Sequence, residues 1–456
     1  MCLVALVVGL AAVASCHFTE SLEGYDSEYR LGAGGSAAGA GGTAGGGGDG
    51  GGGTNPDGGD VYTPQDGADV QKDSDAATPD TPIDVPFETL PDGGNCVPGR
   101  LDCDGNEGNG CETDTTNDNK NCGGCGHECA GGLCASSKCQ PVVLAENQAM
   151  PWSIAVDSTK VFWSNQGSGA VKGSINSIPI AGGTSATLKA EQGTPGDIVL
   201  DSQNVYWSNY SDGGAILKVR KDGQDFLSLT SSSGPWGITV DSSNVYWTIS
   251  AGEIRTIPIA GGSSSWLVQS ENDPRAITVS GGKLYWSTTG SPGEAGPVAV
   301  GKIRSSNLDG SNKQDLATGQ AFPLGMVVTS TDIFWVSTGT YSLGDCSQQD
   351  GKVLKMAKSN PGVVTTLAQS QACPTRLAVD NDTVYWANLG TSSGSSYSYN
   401  GMIMKVPMTG GTPVAMVSSG DLVVKPYGIA VDATNVYWTS QGVGPSQGKI
   451  ARVVKD

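Results

Sequence analysis

The chain has 456 residues, with 26 Lys and Arg against 45 Asp and Glu, a net charge of −19, 68 Gly and only 16% charged residues. An average chain holds about 7% Gly and about 25% charge. The acidity lies mostly before residue 140, so what argues against a groove for phosphate backbones is the lack of a basic cluster among the 21 scattered bases of residues 141 to 456, together with the export signal described below. Twelve Cys, mostly clustered, argue against the reducing cytosol.

Residues 1 to 15, MCLVALVVGLAAVAS, form an apolar stretch shorter than the roughly 20 residues that span a bilayer, and they suit the core of a signal peptide. Val13, Ala14, Ser15 and Cys16 resemble the lipobox of bacterial lipoproteins, which implies cleavage before Cys16 and acylation of its thiol. The acyl chains would then be the membrane attachment. The expected address is the bacterial cell envelope, at the outer membrane. No Lys or Arg precedes the apolar core, although export signals carry a positive n-region, so the signal is expected to start upstream of Met1.

Residues 16 to 95 read as a lipidated tether. Leu31 to Asp60 is mostly Gly with Ala, Ser and Thr, and residues 57 to 92 hold ten acids with Lys72 as their one base. Neither part has enough apolar side chains to offset chain entropy, so disorder is expected. As a flexible coil, about 79 residues would reach roughly 50 Å.

Residues 96 to 140 form a Cys-rich module, with Cys96, Cys103, Cys111, Cys122, Cys125, Cys129, Cys134 and Cys139 among almost no aliphatic side chains. A segment of this kind needs covalent staples. Four disulfides are expected, in a pairing that spacing does not choose. Cys122, Cys125, His127 and Cys129 alternatively have zinc-like spacing. Asp102, Asp104 and Asn106 resemble the start of a calcium loop, although Glu107 and Thr113 stand where that loop needs Gly and Glu. Calcium is the cofactor to test, and a solvated acidic turn is the plain alternative.

From residue 141 to 456 the chain repeats one unit. Each copy runs Pro, x, then a small or polar residue (Gly in three copies), then an aliphatic strand usually closed by Asp, a turn, and an aliphatic-aromatic-Trp strand. Copies begin at Pro151, Pro195, Pro235, Pro274, Pro323, Pro374 and Pro426, and their tryptophans are Trp163, Trp207, Trp247, Trp286, Trp335, Trp386 and Trp438. The spacing, 39 to 52 residues, is that of a four-stranded propeller blade. The last copy ends after its third strand, and Val142 to Glu146 has the outer-strand pattern that would complete it. The expected fold is all-β, a seven-bladed β-propeller of four-stranded blades, with six blades as the alternative if one copy is not a blade.

The segments FWSN, YWSN, YWTI, YWST, FWVS, YWAN and YWTS, mostly preceded by AVD or TVD, resemble the YWTD repeats of low-density-lipoprotein-receptor-type propellers. The resemblance covers residues 142 to 456 and implies a binding scaffold. The family's fourth motif position, Asp, is kept nowhere, and seven copies replace its usual six. The Asp ahead of the turn stands at 157, 201, 241, 380 and 432, with Ser280 and Thr329 elsewhere; its expected role is to fix the turn.

The loop into the first strand and the loop out of the second share one face, and long insertions at Thr288 to Val300, Ser337 to Asp350 and Leu389 to Asn400 decorate it. Cys346 and Cys373 lie there on adjacent blades and are expected to pair. Around the channel mouth the repeat places Trp152, Asp197, Trp236, Arg275, Arg376 and Tyr427, which could stack on a ring and hold an anionic group. Both His, at 17 and 127, lie outside the propeller, which removes Ser-His and Cys-His catalysis from it. The preferred reading is a non-catalytic, monomeric surface protein that recognises protein or glycan and not nucleic acid. The alternative is a metal-dependent hydrolase or lyase using channel carboxylates such as Asp197 and Glu253.

Overall fold

A computed structural model describes residues 96–106, 110–211, 213–290, 300–339, 348–393, 396–397, 400–418 and 420–455, with the side chains of 392–393 and 396–397 excepted. Seven four-stranded antiparallel sheets follow one another around a ring. In blade 1 the strands are Pro151–Val156, Lys160–Asn165, Gly173–Pro179 and Ala186–Gln192. Blades 2 to 6 repeat this order from inner strands Pro195–Leu200, Pro235–Val240, Pro274–Ser280, Pro323–Val328 and Pro374–Val379. Blade 7 combines Pro426–Val431, Asn435–Ser440 and Gly448–Val454 with Val142–Gln148, so a strand N-terminal to blade 1 closes the ring as its outer member. The six-bladed alternative is excluded.

The second strand of each blade carries the Trp, and all seven of these indoles are at most 1% exposed. Each packs in a cluster shared with a neighbouring blade, as Trp207 does with Phe162 and Ile175 of blade 1. The core is therefore a ring of seven inter-blade cores. Burying one such aromatic contributes about 1.5–3 kcal/mol.

Each inner strand opens with a bulge. Pro151 faces Asn165 and Ile154 faces Trp163, so Trp152 and Ser153 together oppose Ser164 alone, and an equivalent shift occurs in every other blade. Bulges bend a strand and re-aim its side chains. Here the bulge lies at the positions expected to ring the channel.

The Cys-rich module forms two short hairpins, Arg100–Leu101 with Thr113–Asp114 and Cys134–Ala135 with Lys138–Cys139. Four disulfides link Cys96 to Cys111, Cys103 to Cys125, Cys122 to Cys134 and Cys129 to Cys139. The zinc reading is corrected by this pairing: Cys122, Cys125 and Cys129 are all oxidised, and no thiolate remains to hold a metal. His127 instead places Nδ1 2.6 Å from the Cys122 carbonyl and Nε2 3.3 Å from the Lys455 carbonyl. The module rests against blade 7, with Val454 packed on Cys122, Cys129, Cys134 and Cys139.

Candidate functional site

The residue before each repeat Pro accepts a backbone hydrogen bond from the residue just after the second strand, as Met150 does from Gln166 and Lys425 does from Gln441. Both loops therefore lie on one face of the ring. Five of these residues, Met150, Asp273, Phe322, Cys373 and Lys425, hold φ between 51° and 54°, a left-handed conformation that costs about 1–3 kcal/mol in a residue other than Gly. The connection between second and third strands is three residues in blade 3 (250–252), but spans 289–300, 338–350 and 389–401 in blades 4, 5 and 6.

At the mouth, Tyr427 and Trp152 stack at 3.7 Å between ring centroids, and Trp152 meets Trp236 edge-on at 6.3 Å. Trp152 belongs to blade 1 and Trp236 to blade 3. They meet because blade 2 carries Gly196 at the equivalent position and puts no side chain between them. Tyr210 adds a second edge-on contact to Trp236 at 5.7 Å. The Arg275 guanidinium covers the Trp236 ring at 4.2 Å, and that of Arg376 lies 5.0 Å from the Tyr427 centroid.

Both guanidinium groups are also held by carboxylates. Arg376 reaches from blade 6 to Asp197 of blade 2 at 3.1 Å, across the channel rather than along it. Arg275 binds Asp273 at 2.8 Å, and Thr289 also donates to Asp273. Trp152, Tyr427 and Arg275 are buried, whereas Trp236, Asp197 and Arg376 are half-buried. Lys425 adds a further cation on this face, and burial lowers its pKa. All six residues expected from sequence to share the mouth are thus brought together, as a stack bolted by two ion pairs.

Leu324 and Thr375 complete the ring and are buried. The Thr375 hydroxyl donates 3.0 Å to the Tyr427 carbonyl of the next blade. Cys373 is disulfide-bonded; Cys346 lies outside the described residues, as do Cys16 and the rest of residues 1–95. Of the carboxylates in the catalytic alternative, Asp197 is paired with Arg376 and Glu253 with Arg255; Glu253 is not a channel carboxylate, because it opens the third strand of blade 3 and accepts from Trp266 of the outer strand.

In the module, Asp102 and Asp104 converge with Glu112, their carboxylate oxygens within 4.8 Å of one another. Asn106 donates its backbone N–H to Asp104 at 2.9 Å, and Gly105 donates to Asp102 at 2.8 Å. Glu112 lies outside the calcium-loop register, so spacing alone does not reveal it. Backbone hydrogen bonds lower its pKa, and it accepts from the Cys103 N–H at 3.1 Å. The arrangement is that of a closed acidic turn, with oxygens of the type calcium takes.

A second set of residues escaped the sequence reading. Three positions before each repeat Pro stand Gln148, Gln192, Ser232, Glu271, Gln320 and Gln371 in six blades. Five of the six accept the indole N–H of the following blade's Trp at 2.9–3.1 Å. The recurrence of Gln at a fixed distance from Pro was the available signal. Blade 7 substitutes the Leu422 carbonyl, in the 3-10 turn Asp421–Val423.

No family model matches the chain, and no curated protein is similar to it in sequence. Solved structures share its fold. The WD40 domain of Neurospora crassa Pan2 is 10% identical and matches 68% of this chain and 90% of its own at a TM-score of 0.50. A chain of the nidogen/laminin complex is 18% identical over 60% of this chain and 97% of its own, at a TM-score of 0.45. The tricorn protease is 9% identical over 69% of this chain and 34% of its own, at 0.48. The likeness to the WD40 domain agrees with the propeller fold and shows nothing finer.

Proposed function

We propose that the chain is an exported, lipid-anchored recognition protein, monomeric and non-catalytic, which presents the mouth face of a YWTD-like propeller to a protein partner at the cell surface. The observation that carries this reading is the asymmetry of the ring. Seven copies of one scaffold differ chiefly on one face, where three long connections, the left-handed residues before Pro and the Trp152–Trp236–Tyr427 stack coincide. Interface hot spots favour Trp, Tyr and Arg, and loops held by rigid elements carry binding. Four disulfides fit an oxidising, extracytoplasmic compartment. No described helix is long and apolar enough to cross a membrane.

Two experiments test the proposal. Labelled fatty acid should enter the wild type and not Cys16→Ala, and equal labelling would remove the lipid anchor. Binding to an array of secreted and envelope proteins should be lost in Trp236→Ala, whose ring is half-buried, and kept in a substitution on the opposite face such as Gln203→Ala. Calcium-dependent stabilisation that disappears in Asp102→Asn, Asp104→Asn would assign a calcium ion to the module.

A further inference from the structure

Three Trp fall outside the seven motif positions: Trp152 and Trp236 at the mouth, and Trp266 far from it in sequence register. Trp266 lies on the outer strand of blade 3, Ser265–Val268, and is 60% exposed. A single exposed aliphatic side chain needs no explanation, but Trp266 is built into an arrangement. Its indole N–H donates to the Glu253 carboxylate at 3.2 Å. Arg255 Nε donates to the same oxygen, Oε2, at 2.8 Å. The Arg255 guanidinium lies over the Trp266 ring, 4.8 Å from its centroid. Arg255 and Trp266 are direct cross-strand partners, and Glu253 is two residues back on the same face of its strand.

The result is a flat aromatic surface fixed from behind by a cation and at its edge by an anion. Arg255 and Glu253 are themselves only partly buried, at 24% and 29% side-chain exposure. Glu253 Oε1 and the Arg255 terminal nitrogens make no other hydrogen bond among the described residues. The segment leading into the strand carries Ser263, which is exposed.

We propose that Trp266, Glu253 and Arg255 form a carbohydrate-binding platform on the rim of blade 3, separate from the mouth. A pyranose ring has one apolar face of C–H groups to lay on an indole, and vicinal hydroxyls that pair with a carboxylate and a guanidinium lying side by side. A protein hot spot would instead place the aromatic at the centre of an apolar, desolvated patch. The groups that touch the indole here are a carboxylate and a guanidinium, which favours the sugar. The mouth assigned above to a protein partner is neither required nor altered.

The test is affinity electrophoresis of the full chain through gels containing hydroxyethyl cellulose, a soluble β-1,3-glucan, glycol chitin or galactomannan. At least one polysaccharide should retard the wild type. Trp266→Ala should weaken that retardation about tenfold, the loss expected from one stacking contact. Trp266→Phe should recover part of it, and Trp236→Ala should leave it unchanged. Saturation-transfer difference NMR with the matching hexasaccharide should show transfer to ring C–H protons that Trp266→Ala removes. Any of three gel results would overturn the proposal: no retardation of the wild type by any of the four, equal retardation of Trp266→Ala, or loss in Trp236→Ala with Trp266→Ala intact. The last would move the sugar to the mouth. Capture of an envelope protein that depends on Trp266, without any polysaccharide effect, would also overturn it.

Discussion

Asp157, Asp201, Asp241, Asp380 and Asp432 do two things with one carboxylate. Oδ1 accepts the N–H groups two and three residues on, as Asp432 does from Thr434 and Asn435 at 2.8 and 2.7 Å, which fixes the turn as its sequence context implied. Oδ2 takes a partner that the motif alone did not reveal: Tyr206, Tyr246, Tyr385 and Tyr437 donate to Asp201, Asp241, Asp380 and Asp432 at 2.7–3.0 Å. Blade 1 has Phe162 at the Tyr position, and Lys221 of blade 2 fills the vacancy on Asp157 at 2.9 Å. Desolvation is the largest influence on Asp157 and Asp380 and raises their pKa. Hydrogen bonds from Lys221 and Thr159, and from Lys455 and Thr383, together outweigh it and hold both groups at about 2, against an ordinary 3.8. A folded-state pKa below the unfolded one means that the stability is complete above about pH 4 and lost as the pH falls through about 2. The urea midpoint should therefore drop across that window, and Asp157→Asn with Asp380→Asn should flatten the drop. Tyr246 behaves oppositely: desolvation, then Asp241, raise it to about 12 from 10, so its contribution holds below pH 10 and is lost as the pH rises through about 12. Glu271 is the sharpest single-residue test. Its side chain is fully buried and takes Trp286, Arg304 and Lys313. Glu271→Ala should cost about 1–3 kcal/mol, because it leaves the buried Trp286 N–H without its acceptor and removes a partner of the half-buried Arg304 and the exposed Lys313. Glu271→Gln should cost less, because Gln serves the indole in blades 1, 5 and 6, and chemical denaturation would rank the two.

Between elements, the residue after each Trp performs the joining. In blades 1, 3 and 7 its hydroxyl accepts from the bulge N–H of its own blade and donates to a carbonyl of the next, whereas Ser208 of blade 2 makes the donation, to the Trp236 carbonyl, and Ser287 of blade 4 the acceptance, from the Ala276 N–H. Ser164 bonds Ser153 and Gly196 at 3.1 and 2.8 Å, Thr248 bonds Gly237 and Arg275 at 2.9 and 2.8 Å, and Thr439 bonds Gly428 and Trp152 at 2.8 and 3.0 Å. Val336 and Ala387 break the pattern in blades 5 and 6, where Thr338 and Thr375 bridge to the next blade instead, at 3.1 and 3.0 Å. This network gives the Ser or Thr that follows the Trp in five of the seven blades a structural role. Strand number, blade order and ring closure were legible in the sequence because hydrophobic pattern and counting determine them. The hydroxyl bridges were not, since a Ser in a strand looks the same whether it crosses a blade boundary or meets solvent. Thr439→Val should cost about 1–3 kcal/mol, leaving the Gly428 N–H and Trp152 carbonyl buried without that partner. The Gly of the Pro-x-Gly pattern has a steric reason: a Cβ on Gly428 would meet the Trp152 carbonyl at 2.5 Å, and one on Gly237 the Arg275 carbonyl at 2.2 Å. Gly428→Ala should cost about 1–3 kcal/mol through overpacking, measured beside Thr439→Val in the same denaturation series.

At the level of the whole molecule, the ring is closed by Val142–Gln148 and the module sits where that closure is made. Arg452 is the junction. It is buried, donates to Ala130 of the module at 2.6 Å and to Ile180 of blade 1 at 2.9 Å, and faces Val142 across the closing pair. The mouth residues were legible because one repeat position maps to one place on the ring. Their interlocking, with Gly196 leaving room for Trp152 to reach Trp236, was not, because it depends on three blades at once. Nor could spacing reveal that the module docks on Val454 and Lys455. If the module braces the seam, reducing its disulfides should speed hydrogen exchange at Val142–Gln148 well before the inner strands respond. Arg452→Ala should do the same with the disulfides intact, and unchanged exchange in both would show the module to be a passenger. The order of these contacts also decides how the protein answers mechanical load. Any tension arriving through residues 1–95 enters at Cys96 and is spread across four covalent crosslinks. It then passes into blade 7 through Arg452 and Val454 as well as along the chain, so the strand that holds the ring shut shares the force with those two contacts.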